Sequence, residues 1–183
     1  MANDNLIADL TKFEDYRLAE FRRPSFSRAE IKCATGLTEK TLQNFFARYG
    51  AKMRLSAPAP GKGRSNLYSA SDAVLLSAVR ALTDFEIPPP TAILLAHHVR
   101  TWVVAEARRY YQNGFVHLPD QLFGVLPPLY GGKENLVIQA ATVDELWAAA
   151  KKRGHRALLV LDGARLARET IDKLWARYQS VRE

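Results

Sequence analysis

Two adjacent amide side chains, Gln43 and Asn44, lie in a segment where basic residues outnumber acidic ones. An amide group can form paired hydrogen bonds with N6 and N7 of adenine, and lysine or arginine can neutralise phosphate groups. Residues 26–68 hold eight basic and two acidic side chains, a net charge of +6, whereas the whole chain of 183 residues carries +7. A solvated surface is the usual interpretation of a charge excess, but this concentration with two amides favours nucleic-acid binding.

Two short helices joined by a turn are predicted to position these side chains. Ser27 and Glu30 have the spacing of a capping box that begins the first helix, and Gly36 ends it. Thr38 can cap the second helix, residues 39–48, whose apolar residues share one face. The polar residues of that helix lie largely off this face: Lys40, Gln43, Asn44 and Arg48. The arrangement is that of a helix-turn-helix.

The basic segment 50–68 is predicted to form a β-hairpin, which we call the wing. Residues 52–55 are the expected first strand, and 65–68 are the expected return strand. Proline and glycine punctuate the stretch between them, which can turn but cannot form a helix.

Two longer helices are predicted after the wing. Ser69 and Asp72 form a capping box for the first of them, which ends before the prolines at 88–90. The second is expected from about Thr91 to Tyr111, and its apolar residues surround much of its circumference. Either a second subunit or the C-terminal part of the chain is expected to cover the additional apolar surface.

The C-terminal part is predicted to combine strands and helices. Residues 136–140 and 157–161 are the expected strands, and the capping box of Thr142 and Glu145 begins a helix between them. This order favours a parallel, right-handed βαβ unit, followed by a last helix after Asp162.

The expected fold class is mainly α with a β-hairpin wing, a winged helix-turn-helix, followed by a small α/β C-terminal unit. The predicted divisions are an N-terminal amphipathic helix, a DNA-binding domain, a connecting or dimerisation helix, and an α/β domain of unknown role: 1–25, 26–90, 91–113 and 114–183.

The chain from residue 26 to about 99 resembles the DNA-binding domain of the MerR-type transcriptional regulators. The resemblance lies in short segments that occur in the family's order: Ser27-Arg28-Ala29-Glu30-Ile31, Thr35-Gly36-Leu37-Thr38, Thr41-Leu42, Gly61-Lys62-Gly63-Arg64, Leu67-Tyr68-Ser69, Asp72 and Val79-Arg80-Ala81-Leu82. It implies that the second helix enters the major groove, that the wing contacts the backbone, and that a long helix pairs two subunits.

The resemblance also implies roles for single residues. Thr41, Gln43 and Asn44 are expected at base edges, Arg48, Lys62 and Arg64 near phosphates, and Tyr68 at the base of the wing. Five further residues complete the predicted DNA-binding set: Arg28, Lys40, Lys52, Arg54 and Ser65. The residues that follow Thr41-Leu42 differ from those common in the family, so the target sequence cannot be transferred. The cysteine cluster of the family's metal sensors is absent from the sequence, which has one cysteine.

Other candidate sites are weaker. His97 and His98 are adjacent and point about 100° apart on a helix, so they cannot chelate one metal ion as an i, i+4 pair could. His117 and His155 have no carboxylate or cysteine at ligand spacing. Core packing is expected for Cys33. Two other features have local explanations: the glycines at 131–132 are expected in a loop, and Asp162 as a helix-initiating residue.

The sequence therefore predicts a sequence-specific regulator that binds double-stranded DNA as a homodimer. No catalytic residue set, metal or cofactor is expected, and residues 114–183 are left to bind an effector, a partner protein or the other subunit. Two alternatives remain open: an accessory protein of recombination or phage development, and a small α/β enzyme or ligand-binding protein with a basic targeting domain. Neither a signal peptide nor a membrane span is indicated, so a cytoplasmic location is expected.

Overall fold

Helices account for most of the computed structural model, which describes residues 16–55, 67–111, 117–128 and 135–180. Within these residues we number seven helices and three strands in chain order. They are α1 (16–22), α2 (Arg28–Thr35), α3 (Glu39–Met53), α4 (Ala70–Asp84), α5 (Pro89–Tyr110), β1 (Leu122–Leu126), β2 (Leu136–Ala140), α6 (Val143–Lys152), β3 (Leu159–Asp162) and α7 (Gly163–Ser180). The expectation of a mainly helical chain with a small strand-containing unit is confirmed at this coarse level.

The capping residues predicted from the sequence begin four of the helices. Ser27, Ser69 and Thr142 each accept a hydrogen bond from the backbone of the third residue of their helix, whose carboxylate accepts one from the backbone N–H of the capping residue. Thr38 accepts a hydrogen bond from the backbone of Thr41 at the start of α3. These predictions are confirmed because a cap depends on residues within one turn of the chain.

Helix α4 lies at the centre of the main core. It packs against α2, α5 and α7, and ten consecutive residues, 70–79, are buried. Helix α7 returns from the C-terminal part to this core, where Ile171 and Leu174 are buried and the Thr170 hydroxyl donates to Ser77 Oγ at 2.8 Å. The core formed by α2 and α4 is therefore shared with α7.

Aromatic side chains pack together at the ends of this core. Phe26 contacts Trp175 and Tyr178 of α7, with ring centroids 5.5 and 5.6 Å away. Phe21 of α1 packs edge-on against Tyr111, just beyond α5, at 5.1 Å. These contacts join the described start of the chain to the ends of α5 and α7, and such pairs add to the stabilisation from area burial.

The predicted first strand of the wing is wrong. Lys52 and Met53 belong to α3, which continues five residues beyond the expected end at residue 48, and Met53 is fully buried. Tyr68 pairs instead with Phe26 in an isolated antiparallel bridge, with Tyr68 N donating to Phe26 O at 2.8 Å. The tip of the expected wing, residues 56–66, lies outside the described residues, as do 1–15 of the expected N-terminal helix.

The sheet also differs from the predicted parallel unit. Its order is β2-β1-β3, and both neighbours run antiparallel to β1, a strand that the sequence analysis did not identify. The crossover through α6 therefore links two strands that point the same way but have β1 between them. Leu126, Ile138 and Leu146 form a second small core between the sheet and α6.

Helix α5 is covered by two parts of its own chain. Its residues Ala92, Leu95 and Val99 are buried, and α4 is its main neighbour. On another side, Trp102 packs edge-on against Phe123 of β1 with ring centroids 5.9 Å apart. The C-terminal unit thus covers part of the additional apolar surface, as one of the two sequence expectations had it.

Candidate nucleic-acid interface

The turn between α2 and α3 needs a left-handed backbone at residue 36, which favours glycine. Gly36 has φ +66°, and a Cβ there would overlap the guanidinium group of Arg80. Arg80 donates to the carbonyl of Thr35 at 2.8 Å, and the Thr35 hydroxyl donates to the carbonyl of Ile31 at 2.8 Å. The turn is therefore fixed to α4, which sets the direction in which α3 leaves it.

Helix α3 presents one polar and one apolar face, as predicted. Leu42 and Phe45 are buried, whereas Gln43 and Asn44 are exposed. Lys40 and Arg48 are also exposed, and Thr41 is half-buried with its hydroxyl 2.8 Å from that of Thr38. The exposed face of α3 thus combines amide donors and acceptors with two cations.

An acidic residue at the start of α3 forms ion pairs with two basic residues of α2. Glu39 pairs with Arg28 at 3.0 Å and with Lys32 at 3.3 Å, and it accepts a hydrogen bond from Gln43 Nε2 at 3.3 Å. Arg28 also lies over the ring of Phe46, 5.3 Å from its centroid. Because these side chains are more than a third exposed, the ion pairs are weak and their cations can exchange partners.

The C-terminal end of α3 is bound by side chains of α5. His97 Nε2 lies 3.0 Å from the carbonyl oxygen of Lys52, and Arg100 donates to the carbonyls of Met53 and Arg54 at 3.3 and 3.0 Å. Carbonyls at a helix C-terminus lack partners within the helix, so these bonds stabilise its last turn. Burial lowers the pKa of His97, and nearby Arg100 adds to this shift against the opposing carbonyl contact.

The predicted residues at the end of α3 and beyond it fall into three groups. Lys52 and Arg54 are exposed at its end, where Arg54 adopts a left-handed backbone with φ +46°. Tyr68 is buried and stacks on Phe46 at 5.5 Å, so its side chain supports the bridge with Phe26 from inside. Three predicted wing residues lie outside the described part of the chain: Lys62, Arg64 and Ser65.

Two arginines that the sequence analysis did not include lie near the end of α3. Arg22 of α1 and Arg100 of α5 join Arg54 in lining an open cleft of about 430 Å³. Arg22 and Arg100 are 32 and 46 positions from Arg54 in the chain, so no local spacing could have connected all three. Only the packing of α1 and α5 beside α3 brings them together.

Two of the weaker candidate residues, Cys33 and Asp162, have different outcomes in the structure. Cys33 is exposed, so the expectation that it packs in the core was wrong. Asp162 Oδ1 accepts a hydrogen bond from the backbone of Arg165 at 2.9 Å, which confirms its helix-initiating role. Among the described residues, no group of three or more histidine, cysteine, aspartate or glutamate side chains could hold a metal ion. The glycines at 131–132 are outside those residues.

Helices of the described ranges are too short or too polar to cross a membrane. A comparison with models of known protein families found no match, and a comparison with curated proteins found none either.

Proposed function

We propose that this chain is a sequence-specific regulator of transcription that binds double-stranded DNA through the exposed face of α3. The observation that carries the proposal is the position of Gln43 and Asn44 beside Lys40 and Arg48, opposite the buried Leu42 and Phe45. An α-helix fits the major groove, where amides read adenine and cations approach phosphates. The MerR-type resemblance of residues 26–99 supports the same use of this helix.

The proposed contacts with DNA are of two kinds. Gln43, Asn44 and Thr41 contact base edges, whereas Lys40 and Arg48 contact the phosphate backbone on either side. Residues 56–66, with Lys62 and Arg64, contribute further backbone contacts in the manner that the resemblance implies. When the duplex approaches, its phosphates compete with Glu39 for Arg28 and Lys32, and these two cations then pair with the DNA backbone.

A homodimer through α5 is part of the proposal. Leu94 is 58% exposed on this helix, and His98, Thr101 and Ala105 are exposed at the spacing of the same helical face. A second copy packed on this face would give a two-fold arrangement with recognition helices about 34 Å apart or a multiple of it.

Selection of bound duplexes from a random pool tests the function directly. We expect an inverted repeat whose half-sites contain adenines at the positions read by the two amides. If no sequence is enriched above the starting pool while the protein still binds duplexes, then the protein binds DNA without specificity and the regulatory proposal fails.

Variants of α3 then test the reading surface. Gln43→Ala and Asn44→Ala should each weaken binding to the selected site by about 1–3 kcal/mol, with less effect on random DNA. Gln179→Ala is the matched control, because Gln179 is an exposed amide on α7. A ratio of specific to non-specific affinity that is unchanged in both α3 variants would assign these residues to a solvated face.

Light scattering tests the dimer. Leu94→Glu should convert a dimer into a monomer because it places a charge in the interface, whereas Val143→Glu, at a residue that is 55% exposed on α6, should not. A wild-type protein that stays monomeric at high micromolar concentration, or a Leu94→Glu variant that stays dimeric, would contradict pairing through α5.

A further inference from the structure

Three arginines from different elements converge on one cleft beside the end of α3. Arg22 comes from α1, Arg54 follows α3, and Arg100 comes from α5. The remaining lining consists of two hydroxyl-bearing residues, Ser71 and Thr101, and one apolar residue, Val104. The lining therefore contains three positive charges and no acidic side chain.

Among the described residues, no salt bridge includes any of the three arginines. The carboxylate that acts on Arg100 is that of the fully buried Asp72 of α4. Burial lowers the pKa of Arg100, Asp72 opposes this shift, and the like charges of Arg22 and Arg54 add to it. Like charges held together repel, so an anion in the cleft would relieve an unfavourable interaction.

The central arginine is already oriented. Arg100 donates to the carbonyls of Met53 and Arg54, which fixes its guanidinium group at the wall of the cleft. Arg22 and Arg54 are exposed and can turn toward a ligand. A fixed arginine beside two adjustable ones lowers the conformational cost of forming several hydrogen bonds to one anion.

We propose that this cleft is a binding site for a phosphate group. Arginine forms paired hydrogen bonds with phosphate oxygens, and a cleft of about 430 Å³ has room for a phosphate together with an attached sugar. Two sources share this chemistry, a DNA strand that passes beside the end of α3 and a free nucleotide. The site goes beyond the proposed function, because it binds phosphate whether or not α3 reads a base sequence.

The first experiment measures thermal unfolding of the full chain in inorganic phosphate, with chloride exchanged to keep the ionic strength constant. At ten times its dissociation constant, phosphate should raise the wild-type Tm by about 3–6 °C. The variant Arg22→Gln with Arg54→Gln should lose this shift. The control Lys152→Gln with Arg156→Gln removes the same charge from exposed residues that do not line the cleft, and it should keep the shift.

An equal phosphate-dependent shift in the double variant and the control, or no shift in the wild type, would overturn the proposal. Arg54 has a left-handed backbone, so Arg22→Gln alone provides a second variant that does not alter the end of α3. It should reduce the phosphate-dependent shift, and a full wild-type shift in this variant together with the double variant would also contradict the site.

The second arm identifies the source of the phosphate by measuring duplex affinity against salt concentration. If the source is DNA, the double variant should lose about 0.9 from the salt slope for each contact removed, and the control should not. An unchanged slope together with a lost phosphate shift assigns the site to a free nucleotide. Failure to select any duplex sequence would remove the proposed function and leave the inorganic phosphate result standing.

Discussion

Gly36 is the residue on which the geometry of the α2–α3 turn depends most directly. Its φ of +66° is costly for other residues, and the guanidinium group of Arg80 fills the space beside its Cα. Gly36→Ala should therefore lower the free energy of unfolding by about 1–3 kcal/mol, measured by urea denaturation.

Gly50 provides a control with the opposite expected sign. It lies inside α3, and no atom lies within 4 Å of the position that a Cβ would take. Gly50→Ala should stabilise the protein by about 0.5–1 kcal/mol, because alanine favours the helix and loses less backbone freedom on folding. Two glycine variants that change stability in the same direction would contradict this account of the turn.

His97 gives the end of α3 a dependence on pH. Because burial lowers its folded pKa below the unfolded value of 6.5, the unfolded chain takes up the proton first as the pH falls. The contribution to stability is thus present above about pH 6.5 and is lost as the pH falls through the folded pKa. We expect unfolding free energies between pH 7.5 and 5 to fall less in His97→Gln than in the wild type, and His117→Gln, at an exposed histidine outside the proposed dimer face, is the matched control.

At the scale of elements, α3 shows which parts of the candidate site were accessible from sequence. Its start, its polar face and its exposed amides followed from the Thr38 cap and helical periodicity. Its end did not, because glycine is a common helix-ending residue and Gly50 is followed within ten residues by prolines, although Ala51, Lys52 and Met53 are good helix formers. The helix continues to Met53 because this side chain is buried in the core and because His97 and Arg100, from the distant α5, bind the carbonyls of its last turn.

The start of α3 yields a prediction about charge. Glu39→Gln removes the carboxylate that pairs with Arg28 and Lys32, so both cations become available to phosphates. Affinity for random duplexes should rise several-fold at low salt, and the gain should shrink as salt is raised. Because the pairs are exposed, the free energy of unfolding should change by less than about 1 kcal/mol. Fluorescence anisotropy with a labelled duplex measures the effect, and weaker binding in this variant would contradict it.

The sheet illustrates a second limit of local sequence patterns. The strand at 136–140 was predicted with its observed bounds, since it is a short apolar run before a capping box. Strand β1 was missed because Gly124 interrupts it and prolines follow it. A side chain at Gly124 would meet Ile138 and Leu146, so this glycine allows β2 and α6 to pack closely. That requirement exists only once the sheet has formed.

At the scale of the whole molecule, helix α7 connects the C-terminal part to the core that also contains the buried face of α3. Leu174 is fully buried in the core that α7 shares with α2 and α4. Leu174→Ala should cost about 2–5 kcal/mol, whereas Lys173→Ala, at an exposed neighbour, should change stability by about 0.5 kcal/mol or less.

The shape of the unfolding curve tests the same connection. Because α7 is part of the main core, circular dichroism and tryptophan fluorescence should report one coincident transition in Leu174→Ala, shifted to lower denaturant. Two separate transitions, with the helices at the start of the chain still folded after the first, would show that α7 does not support them.

The hydrogen bond from Thr170 to Ser77 joins residues that are 93 positions apart. During synthesis α2, α3 and α4 leave the ribosome well before α7. The surface that α7 covers is therefore exposed while the 93 residues after Ser77, up to Thr170, are added, on the order of 5–20 s at about 5–20 residues per second. In that interval the nascent helices expose the apolar side of α4 and the ring of Phe26 to chaperones and to neighbouring chains. The core of α2 and α4, on which the geometry of the proposed DNA-reading interface depends, is therefore completed only after α7 has left the exit tunnel.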